Sequence, residues 1–233
     1  MELKPPVSGG PARLVYDAVW LAGYGDIWKP PVADYAAGLG IGAALLAELI
    51  PSGRIAVVAS GDDQGHLVMV NLDPRARPSD VLRRGLWEQI RAEPQPLPVR
   101  AWLDFLTVDG VFVKAADHMV SAGLMERHEL ATRGRWRRRT ETAYWPVEPL
   151  VAAAPFHRLR RWLDGREASL PVTDVFLLGL TEAVGLHRHL FCHRTGQARK
   201  RAVEAQRHLP RQLRALLAHL GDAVSSAATA RTF

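Results

Sequence analysis

The segment 33–50, ADYAAGLGIGAALLAELI, restricts the fold of this chain more than any other. Its residues are apolar almost all round a helix, which is typical of a helix buried on every side. Asp34 and Glu48 interrupt the run, which also falls short of the roughly 20 apolar residues that a membrane-spanning helix needs. We therefore predict a central core helix and no membrane span.

Three glycines in this segment, Gly38, Gly40 and Gly42, have two explanations. A phosphate-binding loop needs glycines on a turn between a strand and a helix, with backbone donors exposed. Here the glycines lie inside an apolar helical pattern, where a missing side chain lets neighbouring helices approach closely. We interpret them as packing glycines.

The remaining pattern predicts further helices and two β-hairpins. Apolar residues recur at helical spacing in eight more segments: 12–23, 80–92, 99–107, 111–122, 155–164, 172–191, 197–208 and 210–220. β-Branched runs separated by turn residues predict hairpins at 54–72 and 124–147. The predicted fold is mainly α, a single helical domain with a buried central helix and two hairpins. Its expected limits are 12–220, between a disordered N-terminal segment, 1–11, and a flexible C-terminal tail, 221–233.

The charge balance narrows the class of partner. The 233 residues carry a formal net charge of +6, which favours contact with polyanions such as anionic lipid or nucleic acid. Cys192 is the single cysteine and the N-terminal residues show no secretory signal, so we expect a reducing cytoplasm. Nothing in the sequence predicts a cofactor.

The strongest cluster of positive charge lies in the second hairpin, in ATRGRWRRRTETAYWPV, 131–147. Arginines surround one tryptophan there: Arg133, Arg135, Trp136, Arg137, Arg138 and Arg139. Along an extended strand Arg135, Arg137 and Arg139 share one face, opposite to Trp136 and Arg138. Guanidinium groups bind phosphates, and Trp136 suits a membrane interface or a stacked base. The alternative is a solvated edge whose charges prevent strand pairing between molecules.

Two further basic surfaces are predicted on helices. The segment FHRLRRWLDG places Arg158 and Arg161 one helical turn apart. The other surface consists of Arg199, Lys200, Arg201, Arg207, Arg211 and Arg214. Basic helices of this kind are often merely soluble faces, so the informative point is that several basic elements surround one helical core.

Other functions have weaker support in the sequence. A helix followed by a basic hairpin is also the order of a winged helix, but 111–122 offers little besides Lys114, Asp117 and His118 to read base edges. This leaves nucleic acid as the second hypothesis and an acidic protein partner as the third. His189, Cys192 and His193 would share a helical face, yet a metal site would need a fourth ligand from elsewhere.

Several segments in order resemble the Golgi phosphoprotein 3 family, in particular its bacterial members. They are GLGIGAALLAELIPSGRI, VNLDPRARPSDVLRRGLWEQI, VRAWLDFL, MVSAGLM, FHRLRRWLDG and DVFLLGLTEAVGLHRHLF, within residues 12–220. The resemblance implies a helical, non-enzymatic peripheral membrane protein. In eukaryotic members it implies binding of phosphatidylinositol 4-phosphate, capture of glycosyltransferase cargo, and a hairpin that contributes to self-association and membrane contact.

Members of this family bind the lipid head group in a pocket, and most of the matching positions in this chain hold different residues. Trp28 stands for its tryptophan, but its three arginine positions fall on Gly40, Asp109 and Phe112, with Lys114 the nearest cation. A phosphomonoester would lose most of its charge-assisted hydrogen bonds there. The sequence therefore predicts a cytoplasmic adaptor that docks reversibly on the inner face of a membrane. The five hairpin arginines with Arg158 and Arg161 would bind anionic lipid, while Trp136 enters the interface.

Overall fold

The computed structural model describes residues 13–23, 34–58, 66–69, 73, 75, 77–133, 138–191 and 196–230, with backbone alone for 66–69, 131–133, 138–139 and 230. The helices are α1 (Arg13–Ala22), α2 (Asp34–Leu49), α3 (Val81–Ala92), α4 (Val99–Val108), α5 (Val111–Ser121), α6 (Pro149–Leu163), α7 (Val172–Ala183), α8 (His187–Leu190), α9 (Gly196–Arg207) and α10 (Arg211–Ala230). The strands are β1 (Ile55–Val58), β2 (His66–Met69), β3 (Met125–Arg133) and β4 (Arg138–Pro146).

Helix α2 forms the centre of the core, as the sequence predicts. Its residues from Ala37 to Ala47 are buried, and α1, α4, α7 and α10 pack around it. A Cβ atom on Gly38 would lie 2.7 Å from Thr107 Cγ2 on α4, and one on Gly40 would lie 3.0 Å from Val184 Cγ1 at the end of α7. The absence of side chains at these glycines therefore allows the close packing of α2, and the packing interpretation is confirmed.

Both hairpins form as predicted, each as a two-stranded antiparallel sheet. The first pairs Ile55 with Met69 through to Val58 with His66. The second is longer and pairs Met125 with Pro146 through to Arg133 with Arg138. These sheets and the helices around α2 confirm a mainly helical domain with a buried central helix and two hairpins.

Capping residues set the ends of two helices. Asp80 caps α3 by accepting a hydrogen bond from the Arg83 backbone nitrogen at 3.0 Å. Gly123 ends α5 with a positive φ of 70°, and the next backbone nitrogen, of Leu124, donates to the Met119 carbonyl at 2.9 Å. This left-handed glycine turns the chain directly into β3.

Three helix boundaries differ from the prediction. Helix α6 begins at Pro149, six residues before the expected start, because Pro149 occupies the first turn while Pro155 lies inside the helix. The expected helix 172–191 is divided into α7 and α8, since Gly185 adopts a φ of 82°. Helix α10 continues to Ala230, ten residues beyond the predicted end. Residues 1–11 lie outside the described part of the chain, and the domain limits stay a prediction.

Candidate functional site

The β3–β4 hairpin is anchored to the helical core at its base. Met125 is buried, and the Tyr144 hydroxyl donates to Asp117 Oδ1 on α5 at 2.8 Å. Burial and this hydrogen bond raise the pKa of Tyr144 to about 12, so the phenol stays a donor at neutral pH. Arg127 Nη1 lies 3.9 Å from the same carboxylate. The base is therefore held in one orientation.

Apart from Met125 and Tyr144, the described side chains of the two strands are exposed or half-buried on both faces of the hairpin. Neighbouring residues on a strand point to opposite faces, yet Glu126 and Arg127 are both exposed, with side-chain exposures of 66% and 51%. Glu129 and Leu130, further along β3, are also both exposed. A nine-pair ladder extends about 27 Å at the usual rise of about 3.4 Å per residue. The hairpin is therefore an arm that projects from the helices.

The far end of the arm brings arginines together. The last described pair of the ladder is Arg133 with Arg138, and the pair before it is Thr132 with Arg139. Like charges directly opposite each other destabilise an antiparallel pair, and a bound anion would relieve this repulsion. Arg135, Trp136 and Arg137 lie outside the described residues, between the two strand ends. By sequence, this segment contains two more arginines.

Charge is separated along the arm. Glu126, Glu129 and Glu141 outnumber Arg127 among the exposed charges nearer the core, whereas Arg133, Arg138 and Arg139 belong to the last two ladder pairs. By sequence, the end of the arm therefore attracts a polyanion more strongly than its base does. The end is the part of the arm suited to meet a polyanion.

Arg158, which the sequence assigns to lipid binding, has a different set of contacts. Its Nη2 lies 2.6 Å from Asp17 Oδ2 on α1 and 2.9 Å from Asp174 Oδ1 on α7, while its Nε donates to Asp174 at 3.1 Å. These two carboxylates raise the pKa of Arg158. Its positive charge is thus balanced inside the protein, where it ties three helices together, and we assign Arg158 a structural role.

Arg161 and Lys114 remain at the surface with partners of their own. Arg161 is 62% exposed in its side chain, and its Nε lies 3.1 Å from Glu167. Lys114 Nζ lies 2.5 Å from Asp109 Oδ2, in a pair that is also largely open to solvent. Exposed pairs of this kind contribute about 0–1 kcal/mol, so either cation can leave its partner for a phosphate at small cost.

The positions that correspond to the family's head-group pocket do not gather cations in this chain. Trp28 lies outside the described residues. Gly40 faces Val184 and Leu180 in the core, and Asp109 holds Lys114. The described part of this region therefore lacks the arginine set that would select a phosphomonoester.

Helix α5, the recognition helix of the winged-helix hypothesis, has its polar side chains engaged within the protein. Asp117 accepts from Tyr144 and His118 Nδ1 lies 2.7 Å from the Tyr16 hydroxyl, so that Lys114, in its exposed pair with Asp109, is the polar group most easily released. Burial and the nearby carboxylates of Asp80 and Glu48 raise the pKa of Tyr16 to about 12. These contacts leave α5 with few free groups for base edges, and they do not favour nucleic acid.

An exposed apolar group beside the hairpin base escaped the sequence analysis. It consists of Trp145, Val147, Leu150 and Val151, with Leu150 85% exposed. Because the sequence predicts that this helix starts at residue 155, Leu150 and Val151 were expected in the loop before it. They were therefore not assigned to any helical face. Pro149 in the first helical turn, after Glu148, is the signal that could have revealed the earlier start.

Searches for a metal site and for a membrane span gave negative results within the described residues. No group of three or more His, Cys, Asp or Glu side chains there is placed to hold a metal ion. Cys192 and His193, two members of the sequence-based hypothesis, lie outside that part of the chain. Among the helices that the structure describes, none has the length and apolar character needed to cross a bilayer.

Comparison with known proteins identifies the fold family. A family model described as Golgi phosphoprotein 3 (GPP34) matches residues 21–229. The match begins inside α1 and ends one residue before the end of α10, so it takes in the central helix and both hairpins. A comparison with curated proteins gave no match. The order of motifs in the sequence and the helical fold agree with the family model, and the chain belongs to the Golgi phosphoprotein 3 family.

Proposed function

We propose that this chain is a non-enzymatic peripheral membrane adaptor that docks on anionic lipid through the end of its β3–β4 hairpin. The observation that carries the proposal is the projecting arm with arginines at its far end, where Arg133 and Arg138 form the last described pair. Such an arm can reach a flat surface that the helical core does not touch. Family membership supports the same role.

The electrostatic attraction is large enough for reversible docking. Each Lys or Arg near an anionic membrane contributes about 1 kcal/mol, and salt weakens the attraction. Five arginines at the end of the arm, with Trp136 entering the interface, would supply several kcal/mol. Arg161 and Lys114 could add to this from the helical core, whereas Arg158 is left out because Asp17 and Asp174 hold it.

The proposal concerns charge and not a single head group. A site selective for phosphatidylinositol 4-phosphate would need cations around its monoester, and the matching positions hold Gly40, Asp109 and Phe112. We therefore expect phosphatidylglycerol and phosphatidylinositol 4-phosphate vesicles of equal surface charge to bind the protein equally well. The protein would act at the inner, cytoplasmic face of a membrane and hold a protein cargo there. Self-association through the hairpin stays a prediction of the family resemblance.

The experiment that tests this proposal is charge reversal of Arg135, Arg137 and Arg139 to glutamate, followed by co-sedimentation with anionic vesicles. We expect the triple variant to lose binding by about two orders of magnitude or more, since three attractive charges become repulsive. The matched control reverses three exposed arginines elsewhere, Arg75, Arg77 and Arg188, and so carries the same net charge.

The two variants separate a local from a general charge effect. If binding falls only in the hairpin variant, the arm is the docking element. If both variants lose binding equally, docking follows net charge and the proposal is wrong. A DNA duplex added as competitor tests the second hypothesis, because displacement of the protein from vesicles by the duplex would indicate a general polyanion binder.

A further inference from the structure

The solvent-facing side of α6 is a continuous stripe with two chemically different ends. Leu150, Ala154, His157 and Arg161 follow one another at spacings of four, three and four residues, so they lie along one face of the helix. Leu150, His157 and Arg161 are exposed and Ala154 is half-buried. The stripe extends about 16 Å from Leu150 to Arg161 at about 1.5 Å per residue.

The N-terminal end of this stripe is apolar. Leu150 is 85% exposed, and Val147 and Val151 are 48% and 47% exposed beside it. Trp145, 42% exposed, precedes them at the end of β4. The exposed carboxylates of Glu126, which pairs with Trp145 in the ladder, and of Glu148 flank this apolar group. These carboxylates favour shallow insertion at the level of the head groups, where they stay hydrated.

The C-terminal end of the stripe is basic, and α9 adds to it. Arg201 stacks on Trp162 with its guanidinium carbon 4.9 Å from the ring centroid, and its Nη2 donates to the Glu167 carbonyl at 3.2 Å. These contacts bring the first turns of α9 beside the end of α6. The exposed cations of these two segments are Arg161, Arg166, Arg199 and Lys200, and the carboxylates of Asp164 and Glu167 lie in the same stretch after α6. Arg161 pairs with Glu167, and no ion pair is described for the other three within the part of the chain that the structure covers.

We propose that the α6 stripe is a second membrane contact, in which the Leu150 end enters the interface of an anionic bilayer and the Arg161 end lies among its phosphates. This inference rests on the proposed function and adds a contact outside the hairpin ladder. It also gives the helical core a fixed orientation on the bilayer, because two separated contacts define the protein's tilt.

A bilayer fits this stripe better than a second copy of the chain does. Two-fold symmetric pairing can run antiparallel, which sets guanidinium groups against Leu150, or parallel, which sets cations against cations. The antiparallel arrangement brings the cations near Glu126 and Glu148 but leaves Leu150 without an apolar partner, and the parallel one leaves the cations without an anionic partner. An anionic bilayer offers apolar and phosphate layers side by side, so the two ends find their partners on the same surface.

The test compares the full chain with a Leu150→Glu/Val151→Glu variant on phosphatidylcholine vesicles that contain phosphatidylglycerol. We expect binding to weaken by about tenfold, since two apolar contacts are lost and two repulsive charges appear. The matched control is Val58→Glu/Val81→Glu, which adds the same charge at valines that are 47% and 62% exposed elsewhere. It should bind within about twofold of the unaltered chain, and circular dichroism confirms that both variants fold.

A second readout needs no charge change. An environment-sensitive fluorophore on Leu150→Cys, in a Cys192→Ser background, should shift to the blue on vesicle binding, whereas the same label on Val81→Cys should not. If the unaltered chain binds but the glutamate variant binds equally well and the Leu150 label does not shift, the α6 contact is wrong while the proposed function stands. If the unaltered chain does not bind anionic vesicles, both proposals are overturned.

Discussion

Helix α2 and the β3–β4 hairpin use their residues in opposite ways. Along α2 almost every residue faces another helix, and its glycines mark places where a side chain would collide with a neighbour. Along the hairpin, the described side chains other than Met125 and Tyr144 are exposed or half-buried on both faces. Two strands alone are marginally stable in water, so an exposed arm of this length suits contact with something outside the chain. Changes in α2 should therefore alter stability, and changes in the hairpin should alter binding.

The largest expected effect is a Gly40→Arg substitution in α2. The new side chain would have to displace Val184 and Leu180 and bury a charge, at a cost on the order of 5 kcal/mol or more. We expect unfolding or a large loss in urea denaturation. Gly85→Arg is the matched control, because Gly85 lies in a helix with open space around it. If Gly40→Arg folds and gains selective phosphatidylinositol 4-phosphate binding, our account of the replaced pocket fails.

The next effect concerns Arg158, the residue that sequence and structure assign differently. Arg158→Ala leaves Asp17 and Asp174 close together without their cation, and we expect a loss of about 3 kcal/mol in the free energy of unfolding. Arg161→Ala, one helical turn away and exposed, should cost less than about 0.5 kcal/mol. Equal losses in thermal denaturation of the two variants would argue against the structural role of Arg158.

A smaller effect is the pH dependence that Glu48 gives to the core. Burial, opposed by hydrogen bonds from the Val15 and Leu14 backbone nitrogens and by Arg83, raises the pKa of Glu48 from 4.5 to about 7. The folded state thus holds the proton more tightly than the unfolded state. The stabilisation that protonated Glu48 gives to the folded state is fully present below the pKa of the unfolded state. It is lost as the pH rises through about 7.

We expect unfolding experiments to show about 2 kcal/mol less stability near pH 8 than near pH 5 from this residue. Glu48→Gln keeps an oxygen that accepts from Leu14 and Val15 but does not titrate, so it should remove this part of the dependence. An unchanged pH profile in the variant would show that other groups, such as Asp17, are responsible.

The smallest effect on stability is predicted at the end of the hairpin. Arg133→Glu converts the last described ladder pair into one of opposite charge with Arg138, which should stabilise the hairpin by about 0.5 kcal/mol. Amide exchange in β3 and β4 should therefore slow, while vesicle binding falls. Arg133→Ala serves as the control for charge removal without a new pair. Faster exchange in the glutamate variant would contradict the like-charge explanation.

Much of the fold could be predicted because local patterns decide it. The all-round apolar character of 33–50 and the turn residues within 54–72 are visible in short windows of sequence. The start of α6 was missed because proline suits a first helical turn, and both Pro149 and Pro155 offered one. Periodicity also could not show that α10 continues through small residues to Ala230.

The candidate site was less predictable, since it depends on distant partners. The sequence shows Arg158 as one more cation in a basic helix, whereas Asp17, which holds it, lies 141 residues away. Recognising the exposed apolar group around Leu150 requires knowing where α6 starts and how the neighbouring elements pack around it. The arginines at the end of the hairpin were found because they are consecutive in sequence, and their role in binding lipid stays a proposal.

The most direct test of the account is co-sedimentation of the unaltered protein with neutral and with phosphatidylglycerol-containing vesicles at low and at high salt. We predict binding to the anionic vesicles that weakens steeply with salt, and no binding to the neutral ones. Phosphatidylinositol 4-phosphate vesicles of matched charge should behave like those with phosphatidylglycerol. Equal binding to neutral and anionic vesicles, or no binding to either, would contradict an arm that docks by charge.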